Sequence, residues 1–196
     1  MTDPRTDAIA REAARLIESS RAESIAEAIR VAANGLGYQG VDLPGHGRVR
    51  KHAQGLAMQA LGEQGYTESV REVWRAAERI MTVLTEVLTD AEPLLVGRAA
   101  QGRIDGGVTV HVRLYTRTPI GEVAQSLVEF GYNEPAFATA ETRLGRLDRL
   151  LLDDDGIAIV VTRCLPEMVE RSGMDLFSDQ PISTATLDQV RAKLGD

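Results

Sequence analysis

Apolar positions recur at helical spacing along residues 1–90 and switch to strict alternation early in residues 91–196, so the chain reads as a helical region followed by an α/β region. Ile9, Ala13, Leu16 and Ile17 define a first amphipathic helix, with Asp3 and Pro4 as its cap and first-turn residue. Ser24 followed by Glu27 predicts a capping box, and behind it Ile25, Ala28, Ile29 and Ala32 form one face of a second helix that Gly37 stops. The turn formers of YQGVDLPGHG predict a loop that includes His46. A third helix is expected from about Val49 to about Leu61, with Leu56, Ala57, Ala60 and Leu61 inward, and Glu63-Gln64-Gly65 breaks it. From about Thr67 to about Leu88, Val70, Val73, Trp74, Ala77, Ile80, Met81, Leu84, Val87 and Leu88 make too wide an apolar stripe for an exposed helix. That segment reads as the central helix of the packing.

The period then changes. Val108, Val110, Val112 and Leu114 alternate with Thr109, His111 and Arg113, which predicts a strand with one buried face. Thr118 and Pro119 suit the N-cap and first position of a helix running to Phe130, with Gly131 just past its end. Residues 137–144 and 146–152 read as strands around a turn at Gly145, and DDDG at 153–156 turns the chain into a third strand, IAIVVTRC. These form an antiparallel meander added to the first strand. Thr186 and Gln189 predict a capping box on a short terminal helix.

Composition narrows the function classes. With 22 basic against 29 acidic residues the net charge is -7, which argues against the broad electrostatic attraction on which nucleic-acid binders rely. Cys164 is the single cysteine, so neither an intrachain disulfide nor a cysteine-based zinc site can form; following a buried-looking strand, it reads as a small core residue rather than a nucleophile. The N-terminus MTDPRTD lacks the features of a secretory leader, and no apolar run approaches the ~20 residues of a membrane span, so a cytoplasmic protein without membrane contact is expected.

The stretch LVGRAAQGRIDGGVTVHVRLYT, residues 95–116, resembles the nucleotidyltransferase-fold superfamily, whose members carry Gly-Ser at a strand-to-helix turn and an Asp-x-Asp pair on the next strand. More narrowly, RLIESSRAESIAEAIRVAANGLG, LVGRAAQG followed by VTVHVRLYT, IAIVVTRCLP and DLFSDQPISTATLDQV make nearly the whole chain similar to a bacterial group of nucleotidyltransferase-like proteins. The resemblance implies an α+β fold, with a helical region (1–90) packed on a nucleotidyltransferase-like mixed or antiparallel sheet with flanking helices (91–196). It also implies a test of the chemistry, because active members hold two magnesium ions on three strand carboxylates. Here Gly97 keeps the glycine, but Arg98 stands in the serine position, Thr109 and His111 in those of the two acids, and a residue near Ala158 in that of the third. Magnesium demands oxygen ligands, so no metal and no cofactor is expected on this strand face.

What the motif retains points to a non-catalytic binding or regulatory module. Gly97, Arg98, His111 and Arg113 form a candidate anion or phosphate site, with the amides of a helix N-terminus assisting Arg98; the plainer alternative places them half-exposed on a sheet rim. The partners this allows are a nucleotide or another phosphate-bearing ligand, a protein, or a second copy of the chain held through the helical zone. The alternatives are an active metal-dependent enzyme using relocated acids, Asp105, Asp148 and Asp153 to Asp155, although DDDG fits a solvated hairpin tip, and a structural or oligomerisation protein with the helical zone as its contact surface. RVRKH at 48–52, with His52 on the third helix, is the best local basic patch and reads first as a solvated helix face.

Overall fold

The structure is a computed structural model that describes residues 3–19, 21–22, 24–38, 40–104, 109–178 and 180–195. Asp105, Val108 and Asp179 lie outside the described residues. The chain divides into two compact units, one of described residues up to Ser69 with Ile104, the other of Val70–Arg103 and the described residues from Thr109 onward. That division falls within a long helix, whereas the shift of hydrophobic period lies near residue 90.

The first unit contains α1 (Pro4–Glu18), α2 (Ile25–Gly35) and the first part of α3 (His46–Val87). Asp3 caps α1 by accepting from the Arg5 amide at 2.9 Å, and Ser24 caps α2 by accepting from the Glu27 amide at 3.2 Å. The core of this unit consists largely of alanine, with Ala10, Ala13, Ala14, Ala28, Ala32, Ala33 and Ala53 around Ile9, Ile29 and Val49. Such small side chains bury little apolar area each, at about 25 cal/mol per Å². Three expectations are corrected in α3. His46 is the first residue of the helix rather than part of a loop, and Glu63-Gln64-Gly65 is helical; the break falls at Gly62, with φ 70° and ψ 168°. Only glycine adopts that conformation freely, so the kink sits there. Ala60 and Leu61, expected inward, are exposed because the buried stripe of Val49, Ala53 and Ala57 ends a turn before the kink.

The second unit contains the rest of α3 and a six-stranded mixed sheet of order β3-β4-β5-β2-β1-β6. Its strands are β1 (Glu92–Val96), β2 (Thr109–Tyr115), β3 (Ala136–Thr142), β4 (Gly145–Asp154), β5 (Ile157–Cys164) and β6 (Thr184–Ala185). β3, β4 and β5 form the expected antiparallel meander, which joins β2 through a parallel pairing of β5. The helix α4 (Ile120–Phe130) takes Pro119 as its N-cap, one residue after the expected Thr118, whose hydroxyl instead donates to Asp90 at 3.2 Å. At the end of the chain α5 (Leu187–Leu194) opens with the Thr186–Gln189 capping box intact.

Alternation on β2 separates two environments. Val110, Val112 and Leu114 are at most 1% exposed and lie in the row of Ile159 and Val161 on β5 and Leu150 on β4. The opposite face carries Thr109, His111, Arg113 and Tyr115. Over it runs the segment after β5, where Leu176, Met168 and Val169 pack with Tyr115, Leu147 and Cys164. No helix among the described residues is long and apolar enough to cross a membrane.

Candidate functional site

The second face of the sheet and the segment that covers it enclose a cavity of about 170 Å³. Gly97, His111 and Arg113 line it, together with Arg149, Thr162, Asp175 and Phe177. Strand register explains why these residues meet. Arg113 pairs with Thr162 across β2 and β5, and Arg149 pairs with the same Thr162 across β5 and β4, so the three stand in one row across adjacent strands. Cross-strand partners project to the same face, which places a guanidinium on either side of one threonine. His111 stands one pleat along, opposite Val96 of β1.

The electrostatics of the cavity are unbalanced. Arg113 is 3% exposed and Thr162 4%. Arg113 Nη1 donates to the Ser172 carbonyl at 3.0 Å, but the Nε atoms of both Arg113 and Arg149 are buried and have no hydrogen-bond partner among the described residues. The Arg149 guanidinium lies over the Phe177 ring at 5.3 Å from its centroid, and burial lowers its pKa. Asp175 is the acid of the cavity, yet its Oδ1 is occupied within its own loop, accepting from the Phe177 amide at 2.9 Å and from the Ser178 amide at 2.8 Å. Among the described residues neither arginine forms an ion pair. A buried donor left unsatisfied costs about 1–3 kcal/mol, and more when it is charged. Both arginines line the same cavity.

His111 is exposed at the mouth of this cavity. Desolvation first, then the positive charges of Arg149 and Arg98, push its pKa below the usual 6.5. The folded state therefore resists a proton that the unfolded chain accepts, and stability falls as pH drops from 6.5 toward the lowered value. An anion among the arginines reverses part of that shift. Urea midpoints measured at several pH values are expected to show a shallower loss below pH 6.5 in His111→Gln than in the native chain.

Two expectations about the glycine turn change. After Gly97 the chain forms a single 3₁₀ turn, Ala99–Gln101, rather than an α-helix, so no helix N-terminus offers its amides. The Gly97 amide is itself spent, donating to the Ser183 carbonyl at 2.8 Å. Arg98 does not line the cavity, although its charge reaches His111. The sheet-rim placement fails for Arg113, because β2 is an interior strand flanked by β1 and β5. Arg149, Thr162 and Phe177 join the site without a motif of their own in the sequence. The available signal was the alternation of β4, where Leu147, Arg149 and Leu151 share a face, and it identifies that face without naming its neighbours.

The other candidates lie elsewhere. Thr109 and Ala158 are direct partners across β2 and β5, with His111 one pleat along, so the three positions where the motif would carry acids are adjacent and hold none. These side chains do not fit a magnesium pair. Of the relocated acids, Asp153 accepts from the Gly156 amide at 2.8 Å, closing the hairpin, and Asp154 is bound by Arg79 at 2.7 Å. Asp105 lies outside the described residues, and among those described no group of three or more His, Cys, Asp or Glu side chains could hold a metal ion. Cys164 is buried at the end of β5, and burial pushes its thiol up to about 11, which suits packing rather than nucleophilic attack. No family model matches the chain, and neither a curated protein nor a solved structure matches it.

Proposed function

We propose that the protein is a nucleotidyltransferase-fold chain that has lost the transfer reaction and serves as a metal-independent anion-binding module. The observation that carries this reading is a pair of arginines, Arg113 and Arg149, that line one cavity while their Nε atoms are buried and meet no acceptor among the described residues. The proposed ancestry draws support from β1, the turn at Gly97, antiparallel β2 and parallel β5, with Thr109, His111 and Ala158 in the positions of the acids. Loss of carboxylates and retention of arginines change what the strand face attracts, from a cation to an anion.

Size limits the ligand. Organic ligand pockets run to about 300–1,000 Å³, and 170 Å³ is smaller than these. The cavity takes a phosphate or carboxylate group, with any remainder of the ligand lying outside against Phe177, which is 54% exposed. Two guanidinium Nε–H groups on either side of one hydroxyl suit an oxyanion with several acceptor atoms.

The test is thermal unfolding with inorganic phosphate in the presence of a chelator. A ligand that binds the folded state alone raises stability by about 2.7 kcal/mol at a hundredfold excess over Kd. Phosphate is expected to raise the midpoint equally with chelator and with magnesium, and labelled nucleoside triphosphates are expected to give no transfer product. Stabilisation that requires magnesium, or transfer that Arg113→Met abolishes, overturns the reading.

A further inference from the structure

In the helical unit a second feature stands apart from the sheet cavity. An open groove of about 700 Å³ carries Arg11 and Arg15 from α1 and Arg48, Lys51 and His52 from α3. Helical spacing collects them, since Arg11 and Arg15 are four apart, and Arg48, Lys51 and Gly55 follow at three and four. Asp7 is the acid that lines the groove, and it is already engaged, with Oδ1 3.0 Å from His52 Nε2 and Oδ2 3.2 Å from Arg11 Nε. Four permanent cations thus gather around Asp7 on a chain of net charge -7. Positive potential is concentrated here against the sign of the whole molecule.

The details of the groove favour a ligand over a solvated helix face. Arg15, 66% exposed, turns to Glu12 on its own helix at 3.2 Å, a weak surface pair that yields readily to a stronger anion. Lys51 meets no carboxylate among the described residues. Gly55 leaves the helix backbone bare, although a Cβ there would meet nothing within 4 Å. Glycine inside a helix is unfavourable relative to alanine, and nothing in the fold calls for it at this position. Pro4 and Leu56 are the apolar lining, so no aromatic ring is offered for stacking a nucleic-acid base.

We propose that this groove binds a small ligand bearing two or more linked phosphate groups, held by Arg11, Arg15, Arg48 and Lys51. Residues four apart on a helix rise ~6 Å, so the cations stand at two levels. One orthophosphate engages one level, and linked phosphates engage both.

Calorimetry on the full chain tests this with tripolyphosphate, orthophosphate and sulfate at matched ionic strength, repeated in an Arg113→Met background to silence the sheet cavity. Tripolyphosphate is expected to bind about tenfold more tightly than orthophosphate. The double change Arg15→Ala with Lys51→Ala, both on exposed side chains, is expected to remove that preference, while Arg15→Lys with Lys51→Arg keeps it. Arg50→Ala, on α3 but off the groove, leaves it unaltered. Tripolyphosphate binding no tighter than sulfate overturns the proposal, as does an unaffected double alanine variant. A short DNA duplex that displaces tripolyphosphate at lower phosphate concentration also overturns it, in favour of a nucleic-acid surface.

Discussion

Replacing Arg113 by methionine is expected to weaken phosphate binding about 10–100-fold, because each hydrogen bond to a charged group contributes about 1.5–3 kcal/mol. The same change is expected to stabilise the unliganded protein. Arg113 is 3% exposed, and among the described residues its Nε–H meets no acceptor and its charge no counterion. Uncompensated burial of a charge costs several kcal/mol, against which the bond from Nη1 to the Ser172 carbonyl returns only part. Methionine fills a similar volume with flexible apolar atoms. A gain of about 1–2 kcal/mol, or roughly 2–8 °C in midpoint for a chain of this size, is expected, with the phosphate-induced shift reduced. A residue kept for packing alone behaves oppositely, and Arg113→Met would then lower the midpoint. Arg149→Met, at a half-buried position, is expected to weaken binding by less and leave the unliganded midpoint nearly unchanged.

The largest loss of stability is expected from Gly102→Ala. Gly102 has φ +70°, and a Cβ built on it stands 2.8 Å from Trp74 Cζ2 and 3.3 Å from Cη2. The ring cannot swing aside easily. Its Nε1 donates to the Ala99 carbonyl at 2.8 Å, and Lys193 Nζ lies 4.9 Å from the ring centroid while donating to the Ala100 carbonyl at 3.0 Å. Left-handed backbone costs a non-glycine residue about 1–2 kcal/mol, and overpacking adds about 1–3. Gly131→Ala separates the two terms, since Gly131 has φ +113° and its added Cβ meets nothing within 4 Å. Urea unfolding should show Gly102→Ala losing about 2–5 kcal/mol and Gly131→Ala only the backbone share. Equal losses in the two variants would mean that the tryptophan ring accommodates the methyl.

The same residues show what the sequence reveals and where it stops. Asp3 before Pro4, and Thr186 three before Gln189, are local signals whose hydrogen bonds close within one turn, and both caps form as read. Alternation along Val110, Val112 and Leu114 sets the strand and its buried face without reference to any other segment. The kink at Gly62 was displaced to Gly65 because either glycine can end a helical pattern, and which one does depends on the packing around it. Arg98 and the two alanines after it look like a helix start, yet Gly102 turns left-handed against Trp74 and leaves one 3₁₀ turn. The sequence leaves Arg149 unmarked for a different reason. Its place beside Arg113 comes from the parallel register of β2 with β5 and the antiparallel register of β5 with β4, and no short stretch of sequence encodes either. His111 and Arg113 were legible as members of one face; the arginine opposite them was not.

Polar side chains of the sheet cavity can be followed directly through the arginine Nε–Hε resonances. In a ¹⁵N-labelled sample titrated with inorganic phosphate in the presence of chelator, the Nε–Hε signals of Arg113 and Arg149 are expected to move together. Each should gain protection from solvent exchange as its unsatisfied proton finds an acceptor. Assignments come from Arg113→Met and Arg149→Met. If both signals stay in place at saturating phosphate, or move only once magnesium is added, the sheet cavity is not a metal-independent anion site.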